Sequence, residues 1–126
     1  MLKRGRRWLV AVLVITALLI GIAIPVYKTM ILSSRERMLR SNLLALRGVI
    51  DQYTADKKKT PQSLQDLVDA GYFWKLPQDP LTNSNSTWEP IIDTVVISPG
   101  KTERGIVDVH SGSSLISSDK TAYRNW

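Results

Sequence analysis

The residues able to do chemistry in this chain are few, and most sit between Asp108 and Asp119. His110 is the sole histidine, with Ser111 and Ser113 close behind it. A serine nucleophile needs a base held against its hydroxyl, and neighbours this close in sequence seldom adopt that geometry. No G-x-S-x-G elbow surrounds either serine. A glycine-serine loop is the simpler reading. The chain has no cysteine, which removes thiol nucleophiles, disulfides and thiolate metal sites. No phosphate-binding glycine loop is present either. Catalysis is therefore not expected.

Charge narrows the choice further. The formal net charge is +6, and Lys3, Arg4, Arg6 and Arg7 supply four of those charges. From Arg35 onward 12 basic residues face 11 acidic ones, so the high isoelectric point reports the N-terminal cluster. A nucleic-acid surface is not expected. Lys57-Lys58-Lys59 reads as a solvated loop, in preference to a lipid or nucleic-acid contact.

Three elements must carry these residues. The first is Trp8 to Val26, WLVAVLVITALLIGIAIPV, which holds no charge. As a helix it is roughly 28 Å long, close to a bilayer's hydrocarbon thickness. With four basic residues before it and no acid before Glu36, the N-terminus is expected in the cytoplasm and the rest across the membrane. A cleavable signal peptide is the alternative. Its apolar core would be shorter, and Gly21-Ile22-Ala23, followed by Ile24-Pro25, makes a poor cleavage site.

The second element, about Tyr27 to Ala55, continues the helix. Leu39, Leu43, Leu46, Ile50 and Tyr53 recur at spacings of four and three, one face of an α-helix. Arg35, Arg37, Arg40, Arg47 and Asp51 fall largely elsewhere. Pro25 predicts a kink or local unwinding.

The third, about 56–126, reads as a small α+β domain. Asp56 to Thr60 is a polar turn. A short helix is expected from Gln62 to Ala70, with Pro61 at its start, a Ser63/Asp66 capping pattern, Leu64, Leu67 and Val68 on one face, and Gly71 as its stop. Pro77-Gln78-Asp79-Pro80 is loop. Trp88 to Ile92, Thr94 to Ile97 and Gly105 to Val109 predict about three antiparallel strands, with a turn at Pro99-Gly100. About 70 residues build only a thin core, so the long helix is expected to supply one wall. Tyr72, Phe73, Trp74, Trp88 and Trp126 are expected mostly in that core. The alternative for Gly71-Tyr72-Phe73-Trp74 is a contact patch for partners.

The ordered set of a basic leader, Gly5, an apolar run ending in Ile22-Ala23-Ile24-Pro25-Val26-Tyr27 and a long amphipathic helix resembles the type IV pilin-like superfamily. Leu46-Arg47, Ile50-Asp51-Gln52-Tyr53, Pro61, Leu64, Leu67, Pro77, Asp79-Pro80, Gly105-Ile106-Val107-Asp108 and Trp126 narrow the resemblance to the major (G) pseudopilins of the type II secretion system. The resemblance implies an α+β, type IV pilin-like fold: a long N-terminal helix, membrane-spanning in its first half, packed on a short helix and a small sheet. It implies a single-pass protein of the bacterial inner membrane with a periplasmic C-terminal domain. Precursors of the family are cut by a prepilin peptidase after a glycine, here Gly5 before Arg6, and methylated at the new N-terminus. Subunits then assemble with one another, through an inner-membrane platform, into a fibre that drives protein export.

In such a fibre, packing rather than hydrophobicity must favour helix–helix over lipid contact. Ala11, Ala17, Gly21 and Ala23 are the small residues that permit close approach, beside Pro25. The chain departs from the family at the processing site. The usual phenylalanine is Arg6, and the usual glutamate position falls on Trp8 or Val10 according to alignment on Pro25 or Gly5. G pseudopilins often bind calcium in a C-terminal loop. Asp108 and Asp119, with Ser111, Ser113 and Ser118, are the candidate donors, but the residues do not match that loop and a serine/aspartate turn is preferred. Other readings are an uncleaved signal-anchored accessory or end subunit, and a minor or DNA-uptake pilin.

Overall fold

The computed structural model describes residues 2–126, with side chains from Lys3 onward. Met1, the first residue of the basic leader, lies outside the described residues. The chain divides into two compact units, residues 1–34 and 35–126.

Helix α1 spans Leu2–Lys57. It runs through Pro25 without interruption, so the unwinding expected there does not occur. Thr29 Oγ1 donates to the Pro25 carbonyl at 2.9 Å, and Thr16 Oγ1 does the same to Val12 at 2.8 Å. The helix extends two residues into the expected polar turn and stops where Lys58 takes a φ of 55°, a left-handed conformation that ends helices.

In the second unit the leucine stripe is the core. Leu39, Leu43, Leu46, Ile50 and Tyr53 are buried together with Leu67, Trp88, Ile106, Val109 and Tyr123. The spacing that predicts this face is thus the spacing that the domain packs against.

Helix α2 spans Gln65–Asp69, shorter than the expected Gln62 to Ala70. Its start is not a full capping box. Asp66 reaches back to the Gln62 and Ser63 amides at 2.8 and 3.2 Å, but Ser63 Oγ bonds the Asp66 carboxylate instead of a backbone donor. The segment before Leu64 is thereby held as a turn. The end is a Schellman motif: Tyr72 N–H donates to the Leu67 carbonyl and Gly71 N–H to that of Val68, both at 3.0 Å. Gly71 sits at φ 85°, where a Cβ would be strained.

The sheet has two strands, not three. β1 is Glu89–Ser98 and β2 is Lys101–His110, antiparallel and joined at Pro99-Gly100. Asp93 does not divide β1. It pairs with Gly105, and its exposed carboxylate accepts from the Thr94 amide at 2.7 Å. The ladder shifts register between Ile91 and Ile92, where Val107 of β2 is left without a partner, and again between Val96 and Ser98. Gly105 to Val109, expected as a separate strand, is the second half of β2. Gly105 is required there by close approach: a Cβ would lie 2.7 Å from Thr60 Cβ and 2.8 Å from Gln62 Nε2.

Candidate functional site

The N-terminal unit offers an apolar helix surface, with shallow grooves beside Arg4, Arg6 and Arg7. Its apolar side chains from Trp8 to Tyr27 are exposed throughout. The helix is long and apolar enough to cross a membrane, a test that a signal sequence would also pass. The core helix of a soluble protein would pass it too, but the apolar window here is 0% buried. Gly5 and Arg6 lie within α1, and a Cβ at Gly5 or Gly21 would meet nothing within 4 Å. At about 100° per residue, Ala17, Gly21 and Pro25 follow one another at intervals of four along one face, Ala11 lies at its edge, and Ala23 points elsewhere.

In the second unit the polar groups converge on the start of the domain and its last residues. Arg47, on α1, donates from Nε to Asp108 Oδ1 at 2.6 Å, from Nη2 to the Val109 carbonyl at 3.0 Å, and to the main-chain oxygen of Trp126. His110 Nδ1 lies 3.1 Å from the same Trp126 oxygen, and its Nε2 is 3.7 Å from Asp108 Oδ2. Arg40 stacks over the Trp126 ring at 4.3 Å, and Tyr123 meets that ring edge-on. The Glu36 carboxylate accepts three bonds of 2.8 Å, from the Ser118 amide, Ser118 Oγ and Tyr123 Oη. Burial works to raise the Glu36 pKa, but these donors outweigh it and hold the group below its ordinary value. Burial, then the bond to Glu36, pushes the Tyr123 phenol up to about 12.

Asp108 and Asp119 belong to separate clusters. Asp119 accepts from Ser117 Oγ and from Thr121 Oγ1 at 2.6 Å, and these bonds hold its carboxyl down at about 2. This is the serine/aspartate turn. Among the described residues no group of three or more His, Cys, Asp or Glu is placed to hold a metal ion. Ser111 Oγ donates to buried Asp79 at 2.5 Å and accepts from the Ser113 amide, so its hydroxyl is committed to Asp79 and not to the imidazole.

Sequence reasoning missed Glu36 and the role of Arg47. Glu36 carried a signal, as the lone acid in a run of arginines. Arg47 carried none beyond its place beside Leu46. Among the aromatics, Trp88 is buried and donates to the Pro77 carbonyl at 2.7 Å, and Tyr72, Phe73 and Trp126 pack at the core's edge. Trp74 does not: it is 98% exposed. The residues around it are fixed by bonds from the Tyr72 and Phe73 amides to Leu67 and from Tyr72 Oη to Asp56, which leaves the indole no route inward.

Comparison with protein-family models, with curated proteins and with solved structures finds no match.

Proposed function

We propose that this chain is a structural, pseudopilin-like subunit, anchored in a membrane by Trp8 to Val26 and assembling through that helix into or onto an extracytoplasmic fibre of the type II secretion kind. One observation carries the reading: a single helix is bare and apolar in its first half and core-forming in its second. The bare half must find lipid or copies of itself, because its apolar window is 0% buried among the described residues. The near-neutral charge balance of the second unit supports a structural role over nucleic-acid uptake.

The helical setting of Gly5-Arg6 and the apolar residues Trp8 and Val10 favour a second reading, an uncleaved accessory or end subunit. In hydrocarbon an acidic residue would fix register by pairing with a neighbour's amine, and neither position supplies one. The intact mass and N-terminal residue of the membrane-extracted chain, with and without a prepilin peptidase, separate the two. Loss of the residues through Gly5 with gain of a methyl group supports the fibre subunit. An unchanged N-terminus limits the chain to the accessory role.

A further inference from the structure

We infer that the basic end of α1 carries a binding site for one anionic glycerophospholipid, with its phosphate on Arg7 and an acyl chain in each of the two grooves that flank Ala11. This rests on the membrane-anchored reading of Trp8 to Val26 and adds a ligand to it.

The two grooves share a ridge. Both are lined by Arg7, Ala11 and Ile15, which stand at intervals of four and so follow one line along the helix. Arg6, Val10 and Val14 complete one groove, of about 470 Å³. Arg4, Trp8 and Val12 complete the other, of about 390 Å³. Each groove therefore begins at two guanidinium groups and runs down apolar side chains to Ile15. Ala11, the small residue of the ridge, leaves them open to each other at mid-length.

Charge names the occupant. Among the described residues no carboxylate pairs with Arg4, Arg6 or Arg7, since every ion pair lies in the second unit. The first acid in the sequence is Glu36. A guanidinium presents a planar fork that fits phosphate oxygens. A free phosphate would satisfy the arginines alone, and a nucleic acid would leave the apolar grooves facing water. A phospholipid satisfies both. Its headgroup must carry net negative charge, because a choline or ethanolamine group brings its own cation to the phosphate.

Lengths agree with a lipid. From Arg7 to Ile15 the helix rises about 12 Å, within the roughly 15 Å of one leaflet's hydrocarbon. The site therefore belongs to a single leaflet, the one at the basic end. Trp8 edges one groove and is 74% exposed. An indole there sits at the headgroup boundary, where its apolar ring and its N–H are both satisfied. Ala17 and Gly21 lie beyond the grooves, so a bound lipid leaves that part of the helix open to other contacts.

The full chain in detergent is titrated with phosphatidylglycerol or phosphatidylcholine of the same acyl chains, and native mass spectrometry counts the lipids and copies in each particle. The expected result is one phosphatidylglycerol held in clear preference to phosphatidylcholine. Arg7→Gln should weaken it roughly fivefold. Lys3→Gln removes the same charge outside the grooves and should weaken it little. Ala11→Leu fills the ridge without changing charge and should weaken it too. Equal binding of the two lipids, or unchanged binding by Ala11→Leu, overturns the inference. Equal losses from Arg7→Gln and Lys3→Gln overturn it in favour of a diffuse surface charge, and displacement by glycerol phosphate overturns it in favour of a simple anion site. Paired chains that keep no lipid assign the grooves to a second copy and overturn it as well. Alkaline extraction from liposomes tests the anchored reading separately. A chain that stays with the vesicles yet shows no preference for phosphatidylglycerol refutes this inference alone, and a chain that is released refutes both.

Discussion

Arg47 Nε on α1 and Asp108 Oδ1 on β2 meet at 2.6 Å, and the same guanidinium bonds the Trp126 main chain. One side chain thus ties together the helix, the sheet and the last turn of the domain. Both partners are about one-third exposed, so water discounts the ion pair itself. The carbonyls that Arg47 also satisfies are not replaced as easily. Arg47→Ala should destabilise the fold by about 1–3 kcal/mol. Arg47→Lys should recover only part of it, because an ammonium cannot serve three acceptors in a fork. Thermal unfolding of the detergent-solubilised chain measures both; equal stability of the lysine variant and wild type would contradict the fork.

Glu36 makes the same junction sensitive to acid. Its folded pKa lies below the ordinary 4.5, so the unfolded chain takes up the proton more readily. The stabilisation is complete above about pH 4.5 and is lost as pH falls through the lower folded value. Asp119, held at about 2 against an ordinary 3.8, extends the loss to lower pH still. Stability should therefore fall from about pH 5 toward about pH 2, with the amides near Ser118 losing protection from hydrogen exchange first. Glu36→Gln should flatten the upper part of that slope. A variant with the wild-type slope would remove Glu36 from the account.

Three glycines make a graded set. A Cβ at Gly112 would land on the Thr87 carbonyl oxygen and 3.0 Å from its carbon. Backbone cannot step aside cheaply, so Gly112→Ala should cost about 2–3 kcal/mol. Gly105→Ala meets the Thr60 and Gln62 side chains and should cost about 1–3 kcal/mol. Gly48→Ala meets nothing within 4 Å inside α1 and should stabilise by about 0.5–1 kcal/mol. Melting temperatures of the three should rise in that order, and a Gly48 variant that melts below wild type would break it.

Asp79 is fully buried and accepts from Ser111 Oγ at 2.5 Å and the Leu81 amide at 2.9 Å. Asp79→Ala strands both donors and should cost about 2–4 kcal/mol. Urea unfolding checks it. A loss under about 0.5 kcal/mol, the range of an ordinary surface substitution, would mean that water replaces the carboxylate.

The helices are more legible in the sequence than the site. The stripe from Leu39 to Tyr53 can be read because burial on one helix face imposes a period that nothing else produces. Gly71 can be read because only a left-handed residue ends α2 as it does. Asp93 misleads as a divider of β1, because an exposed edge tolerates a charged side chain without leaving the ladder. Size alone places Trp74 inside, whereas its position follows from the bonds that fix Tyr72 and Phe73. The cluster of Glu36, Arg47 and Trp126 joins residues about 80 apart in sequence, and no local pattern announces such a meeting.

The bonds from Glu36 to Ser118 and Tyr123, and from Arg47 to Trp126, also set a timetable. The first turns of the domain are completed by its final residues, and loops of such length close slowly. Glu36 and Arg47 cannot make these bonds until Tyr123 and Trp126 have left the ribosome. A chain delivered across a membrane as it is made would carry both side chains without their partners until residues 118–126 had followed.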